Sequence, residues 1–300
     1  MFIDEPKAMV IVQEDPIEHV ARCARICTNS KATDDKRTYN RLIKDKHWSM
    51  FRHEAVYAII KNAPPSDDFM MPFKYCPYID YRIENRGDHY DFYISTNMNF
   101  MMDIRTDDKT IYDMIMTHRV TPKMFFSNLS YTYKLFRITV LCQTQISTSR
   151  EFNRVSPNAI SEQSTRYVDE SGVIVRPHWM EKSKLQITPD SPYHGYMIAC
   201  DFAFDTYSKM VSKGVPKEDA RGVLPLDTRT MVIYTYTIKD WIRILANRYY
   251  GATGKPHPNA KVLAKCIIDA IEDTYPGTWD FDKLCAEYIY QLKRKNYELI

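Results

Sequence analysis

Apolar residues along this chain recur at two spacings, and the switches between them mark out its elements. Asp15 and Pro16 open a stretch in which Ile17, Val20, Ala21 and Ala24 share one helical face, with an N-cap acceptor and a proline at the first helical position. A second helix is predicted over 35–46, and the β-branched, apolar run 53–61 reads as a strand. Residues 135–146 have the character of a buried strand. Residues 230–237, Thr-Met-Val-Ile-Tyr-Thr-Tyr-Thr, read the same way. Helical patterns are predicted over 192–211, 216–221, 239–248, 258–271 and 281–295, the last ending in a lysine-arginine cluster that suits a helix C-terminus.

The region 62–135 yields least to periodicity. It opens with Pro64-Pro65-Ser66-Asp67-Asp68 and passes through an aromatic stretch at 90–93, with a strand predicted at 91–94 leading to Thr96-Asn97 and a short helix at 108–118. Met98, Met101, Met102, Met114 and Met116 read as packing residues rather than a cofactor box. Helices and strands alternate without regular βαβ spacing, and neither GxGxxG nor GxxxxGK[ST] occurs among only eight glycines. The expected fold class is therefore α/β, a sandwich with a central mixed or antiparallel sheet flanked by helices. It forms a single domain over 1–300 with an elaboration at about 62–135.

Charge and cysteine content remove several function classes. The formal charge of +3 is small and not gathered in a stripe or tail, so polymeric nucleic acid is not an expected partner. The longest apolar runs fall far short of the roughly twenty residues of a membrane span. The first five residues lack the basic and apolar regions of a secretory signal, and the expectation is a soluble, cytoplasmic protein. Seven scattered cysteines do not form the paired framework of a secreted domain, and Cys23 and Cys27 have no second pair to make a zinc site; no metal is implied.

Candidate chemistry concentrates at 149–167. Ser149-Arg150-Glu151-Phe152-Asn153-Arg154 and Ser161-Glu162-Gln163-Ser164-Thr165-Arg166-Tyr167 combine three arginines with hydroxyls and acids. Guanidinium forks and short hydroxyls suit the oxygens of a phosphate. On pattern alone such a segment is more often a solvated face.

The reading REFNRVS followed by SEQSTRY resembles the signature of the flavin-dependent thymidylate synthases, whose usual form carries an RHR triplet and ends in SxRY. Three further elements follow in the same order. Ala24-Arg25-Ile26-Cys27 with 47–53 is similar to the family's ARxC and HxSxxEH elements, 214–225 to its GVPxEDARxVLP, and 241–248 to the helix that follows. The resemblance covers about residues 15–270, and the 62–135 region resembles the insertion of longer members.

The resemblance implies conversion of dUMP to dTMP, with methylenetetrahydrofolate as the folate one-carbon donor, and with FAD and NADPH supplying the hydride. It implies dUMP contacts from Glu151, Arg154, Glu162, Gln163, Ser164, Thr165, Arg166, Arg221 and Arg248, with Arg221 reaching in from a neighbouring part of the assembly. Arg248 is the implied catalytic residue, a fixed cation favouring the enolate-like uracil ring. FAD contacts are implied for His47, Ser49, Arg154, Val155, Ser156, Glu162, Thr237, Lys239 and Arg243, and the expected assembly is a homotetramer. No cysteine nucleophile is required.

The chain departs from that pattern in three places. The RHR triplet is Arg154-Val155-Ser156, which removes charge-assisted hydrogen bonds to flavin, each about 1.5–3 kcal/mol. Arg52 replaces the acid of HxSxxEH, and 249–259 forms a long link containing Gly251, Gly254 and Pro256. These departures leave open two alternatives, a C5-modifying enzyme acting on another pyrimidine nucleotide or yielding a 5-hydroxymethyl product, and a non-catalytic nucleotide-binding homologue.

Overall fold

The computed structural model describes residues 2–30, 34–64, 78–157, 159–168, 172–180 and 191–297, and structural statements concern these. Cys76 and most of the proline-rich opening at 64–68 lie outside them. The chain begins with strands β1 (Phe2–Asp4) and β2 (Lys7–Ile11), then helices α1 (Pro16–Thr28) and α2 (Asp35–Lys44) and a 3₁₀ turn at Trp48–His53. Asp15 caps α1 as its side chain accepts from the Glu18 amide at 2.9 Å, and Pro16 occupies the first turn.

A second group follows: β3 (Ala55–Ala63), β4 (Asp80–Asn85), β5 (Tyr90–Asn97), α3 (Met98–Asp107), α4 (Lys109–Thr117), β6 (Arg119–Val120), α5 (Pro122–Phe126) and α6 (Leu129–Thr132). Its antiparallel sheet has the order β4-β5-β3-β6. The elaboration is thus built onto β3, whose alternating side chains serve two cores. Val56, Ala58 and Ile60 face a cluster with Ile94, Met101 and Ile115, against which Met98, Met114 and Met116 pack. Tyr57 turns the other way, stacking on Phe125 and Phe136 in the main core.

The remaining elements are β7 (Arg137–Gln145), α7 (Ile146–Asn153), β8 (Ile160–Glu162), β9 (Val173–Val175), α8 (Pro192–Ser212), α9 (Lys217–Ala220), β10 (Arg229–Thr237), α10 (Ile238–Leu245), α11 (Pro258–Thr274) and α12 (Phe281–Tyr297). The main sheet is antiparallel in the order β2-β7-β10-β8, while β1 and β9 form a separate parallel pair. On one face of the main sheet Ile138, Val140, Cys142, Val232, Tyr234 and Tyr236 join Trp241, Leu263 and Ile267 in the largest core cluster. On the other face Ile233 meets Cys23 of α1. The architecture is α/β with antiparallel sheets flanked by helices, as the period pattern predicts. Strands of two or three residues, such as β6, β8 and β9, carry no readable period and were not expected.

A buried polar chain crosses the α1 face of the main sheet. His19 Nε2 lies 3.1 Å from Thr139 Oγ1, which is 2.8 Å from Thr235 Oγ1, which is in turn 2.8 Å from His53 Nδ1. Burial first, and then the neighbouring Arg22, push His19 down to about 4. Burial and the adjacent His19 push His53 down to about 3. Above the unfolded histidine pKa both are neutral in either state, whereas below it only the unfolded chain takes up protons. Stability should therefore fall as pH drops from about 6.5 toward 4, by roughly 2 kcal/mol per histidine at pH 5. Thermal melts at pH 7.5 and 5 should show this drop, and His53→Gln should reduce it. An unchanged melting temperature would contradict the buried neutral assignment.

Candidate nucleotide site

The pairing of β7 with β10 brings the end of one strand beside the start of the other, with Gln145 opposite Arg229 and Thr144 opposite Thr230. The arm that precedes β10 therefore lies against the start of α7. Its carbonyls take up two of the otherwise unpaired first amides of that helix, with Ile146 N donating to Thr228 O at 3.1 Å and Ser147 N to Leu226 O at 3.0 Å. β8 continues the sheet beyond β10, and Gln163 N donates to Met231 O at 2.8 Å. The chain then turns at 165–167, anchored by Ser164 N donating to Cys27 O at 2.9 Å.

These segments enclose a cleft of about 610 Å³ lined by Arg150, Glu162, Gln163, Ser164, Thr165, Arg221 and Thr230, with Ile146, Leu224 and Leu226 as apolar wall. Its size is that of a small-molecule site. Glu162 is fixed by three donors: Ser149 Oγ at 2.7 Å, Thr230 Oγ1 at 3.1 Å and Asn153 Nδ2 at 3.3 Å. Arg221 donates from Nη1 to Thr165 Oγ1 at 3.1 Å and from Nε to Glu218 O at 2.9 Å. A hydroxyl and an anchored guanidinium thus stand side by side, an arrangement suited to phosphate oxygens. Arg221 reaches this point within the same chain as Thr165.

Five of the residues singled out for the nucleotide meet in this cleft, namely Glu162, Gln163, Ser164, Thr165 and Arg221. The other four do not line it. Arg166 follows Thr165 directly, yet its Nε and Nη2 both donate to Glu218 Oε2, at 2.9 and 2.8 Å. Glu151, Arg154 and Arg248 form a second group at α7. Arg248 Nε donates to Glu151 O at 2.8 Å, its Nη2 lies 3.8 Å from Glu151 Oε2, and Arg154 Nη1 lies 3.5 Å from Glu151 Oε1. Thr230 was read from sequence only as part of a strand. Its partner Glu162 is remote along the chain, and strand alternation alone does not single it out.

Arg248 sits on a π-helical turn at Ala246–Tyr250 where the sequence predicts continuous helix. Such turns recur at functional sites because they re-aim side chains. Here Asn247 Nδ2 donates to Arg243 O at 2.7 Å and Asn247 Oδ1 accepts from Thr253 Oγ1 at 2.8 Å, tying the turn to the following loop. Gly251 ends the turn at φ 76°.

The residues expected to hold FAD are dispersed over the surface and core. His47 and Ser49 are exposed at the 3₁₀ turn, and the Arg154 side chain is 72% exposed. Val155 packs on the main core and Ser156 is hydrogen-bonded to Tyr236. Thr237 caps α10 by accepting from Asp240 N at 3.2 Å, and Arg243 Nη2 reaches Asp240 Oδ1 at 3.3 Å. Lys239 donates to Asp80 Oδ1 of β4 at 2.7 Å, so a carboxylate of that strand pairs with it. Arg52 lines a cavity of about 140 Å³ with Pro157, Ala159, Thr235 and Asp240, below the several hundred Å³ usual for a cofactor pocket. Most of the polar groups in this set are engaged by the chain's own residues.

A family model described as thymidylate synthase complementing protein matches residues 91–277, and the chain belongs to that family. Over 55 residues it is 38% identical to a probable flavin-dependent thymidylate synthase of Paramecium bursaria Chlorella virus 1, a stretch covering 18% of this chain and 26% of the relative. Over 62 residues it is 34% identical to the flavin-dependent thymidylate synthase of Synechocystis sp., covering 21% and 29%. The matched stretches span less than a third of either relative. Among solved structures, a UMP/dUMP methylase, PolB of Streptomyces cacaoi, bound with 5-Br dUMP is 16% identical with a TM-score of 0.42, covering 93% of this chain and 95% of that one. Among the described residues no helix is long and apolar enough to cross a membrane.

The turn that carries Arg248 depends on Gly251. A Cβ there would meet Gly254 O at 3.0 Å and Pro256 Cδ at 3.2 Å, in a backbone region that L residues rarely adopt. Gly251→Ala should lower the unfolding free energy by about 1–3 kcal/mol. Gly195→Ala, on an exposed helical site with open space around it, should be neutral or slightly stabilising. Urea unfolding of both variants tests the contrast, and equal stability would show that the loop does not constrain the turn.

Proposed function

We propose that this chain is a flavin-dependent thymidylate synthase that converts dUMP to dTMP, taking its one-carbon unit from methylenetetrahydrofolate, with FAD and NADPH as the reducing couple. The observation that carries this reading is the convergence of Ser164, Thr165 and Arg221 with the fixed carboxylate of Glu162 in one cleft, in a chain of this family. Thr165 and Arg221 bind the phosphate, and Ser164 completes the ring of donors around it. Glu162, held by Ser149, Thr230 and Asn153, keeps lone pairs for a sugar hydroxyl or a ring N–H.

Arg248 is the catalytic residue in this reading. Its side chain is only 14% exposed, and its Nε is pinned to the Glu151 carbonyl, so the remaining nitrogens form an oriented positive site. A fixed guanidinium sheltered from water stabilises negative charge developing on the uracil ring, which makes C5 the nucleophile. Because the Arg248 group and the phosphate cleft are separate in one protomer, the reading includes a homotetramer in which facing protomers bring the two together. The same assembly would have to complete the flavin site.

The test is to incubate the protein anaerobically with FAD, NADPH, methylenetetrahydrofolate and dUMP and to identify the product by mass spectrometry. Gain of one methylene unit is the expected result. A hydroxymethyl product would support the alternative C5 modification, and unchanged dUMP would contradict the reading. Arg248→Ala should lower turnover by about a hundredfold or more while the circular dichroism spectrum stays that of the parent.

A further inference from the structure

We infer that Arg150 is a phosphate ligand of the nucleotide cleft, acting with Arg221 in the place that the motif suggests for Arg166. The inference rests on the nucleotide reading above and identifies which cations serve it. Arg150 stands in the last turn of α7, its side chain exposed and lining the cleft. Among the described residues it makes no hydrogen bond or ion pair through that side chain. Its guanidinium donors are therefore available to a ligand in the cleft it lines.

The helix that presents it is held firmly. Phe152 is buried in the main core, and Tyr234 Oη donates to Asn153 Oδ1 at 3.0 Å, while the first amides of α7 are held by the 226–228 arm. The backbone that presents Arg150 is therefore ordered before an anion arrives, and only the side chain has to be fixed on binding.

Arg166 is differently placed. Two of its nitrogens are on one oxygen of Glu218, and its side chain does not line the cleft, although Ser164 and Thr165 do. To reach a phosphate there it would have to release Glu218 and leave that carboxylate unpaired beside an incoming anion. Arg221 needs no such exchange, since its anchors are a carbonyl and a hydroxyl.

Charge balance points the same way. A nucleotide phosphate carries close to two negative charges at neutral pH, which two guanidinium groups match. The one carboxylate in the cleft, Glu162, is already covered by three donors.

Calorimetric titration with dUMP and with 2′-deoxyuridine, which has the same base and sugar but no phosphate, tests the inference. Arg150→Gln should weaken dUMP binding by at least about tenfold and leave deoxyuridine binding unchanged. Arg150→Lys should recover part of the loss, because it restores the charge but not the fork. Arg166→Gln should stay within about twofold of the parent. Parent-like dUMP binding by Arg150→Gln would overturn the inference and leave the thymidylate reading standing. Equal loss of dUMP and deoxyuridine would also overturn it, by assigning Arg150 a structural role. Failure of the parent to bind dUMP would instead remove the nucleotide reading itself, and this inference with it.

Discussion

The antiparallel register of β7 with β10 is the constraint on which the rest of the structure depends. At one end it sets the 226–228 arm against the first amides of α7 and places Thr230 within reach of Glu162. At the other end it delivers the chain into α10, with Ile238 N donating to Phe136 O at 2.9 Å. That helix then leads into the π turn that lays Arg248 against Glu151. A slip of one residue would exchange the two faces of each strand. The aromatic core of Tyr234, Tyr236 and Trp241 would then lose its burial, and Thr139 and Thr235 would leave the histidine chain. Function and stability thus share one register.

The site that results is divided by α7. Arg150 lines the cleft, while the adjacent Glu151 carries Arg154 and Arg248 through its carboxylate and carbonyl. The chain therefore presents two separate groups on either side of that helix, the cleft that Arg150 lines and the Glu151–Arg154–Arg248 cluster. The β4-β5-β3-β6 sheet adds a further constraint, because Asp80 takes up Lys239 and lies 3.8 Å from Arg137. Arg52 shares a small cavity with Pro157 and Ala159, which follow Val155-Ser156 in the chain.

Much of this was legible in the sequence because long elements advertise their period. β7, β10, α8 and α11 have alternation or helical spacing over eight residues or more, and their bounds fall within a few residues of the predicted ones. What escaped had physical reasons. Three-residue strands such as β8 and β9 have too few positions to show a period, and they exist because a long neighbour offers them a template. The π turn is invisible because its cause lies in Asn247, Thr253 and Gly251 acting together, and none of them breaks a helical pattern alone. Motif reading supplied the residue types at 150–167 but not their directions. The partner that draws Arg166 aside, Glu218, is more than fifty residues away in sequence.

In the proposed reading a pyrimidine nucleotide lies in the cleft between the 163–168 turn and the 221–230 arm. A crystal structure with dUMP tests it most directly. The phosphate should lie within about 3 Å of Thr165 Oγ1 and the Arg221 guanidinium, with the nucleotide extending toward Glu162. A nucleotide bound elsewhere on the protein, with the cleft left to solvent, would contradict it.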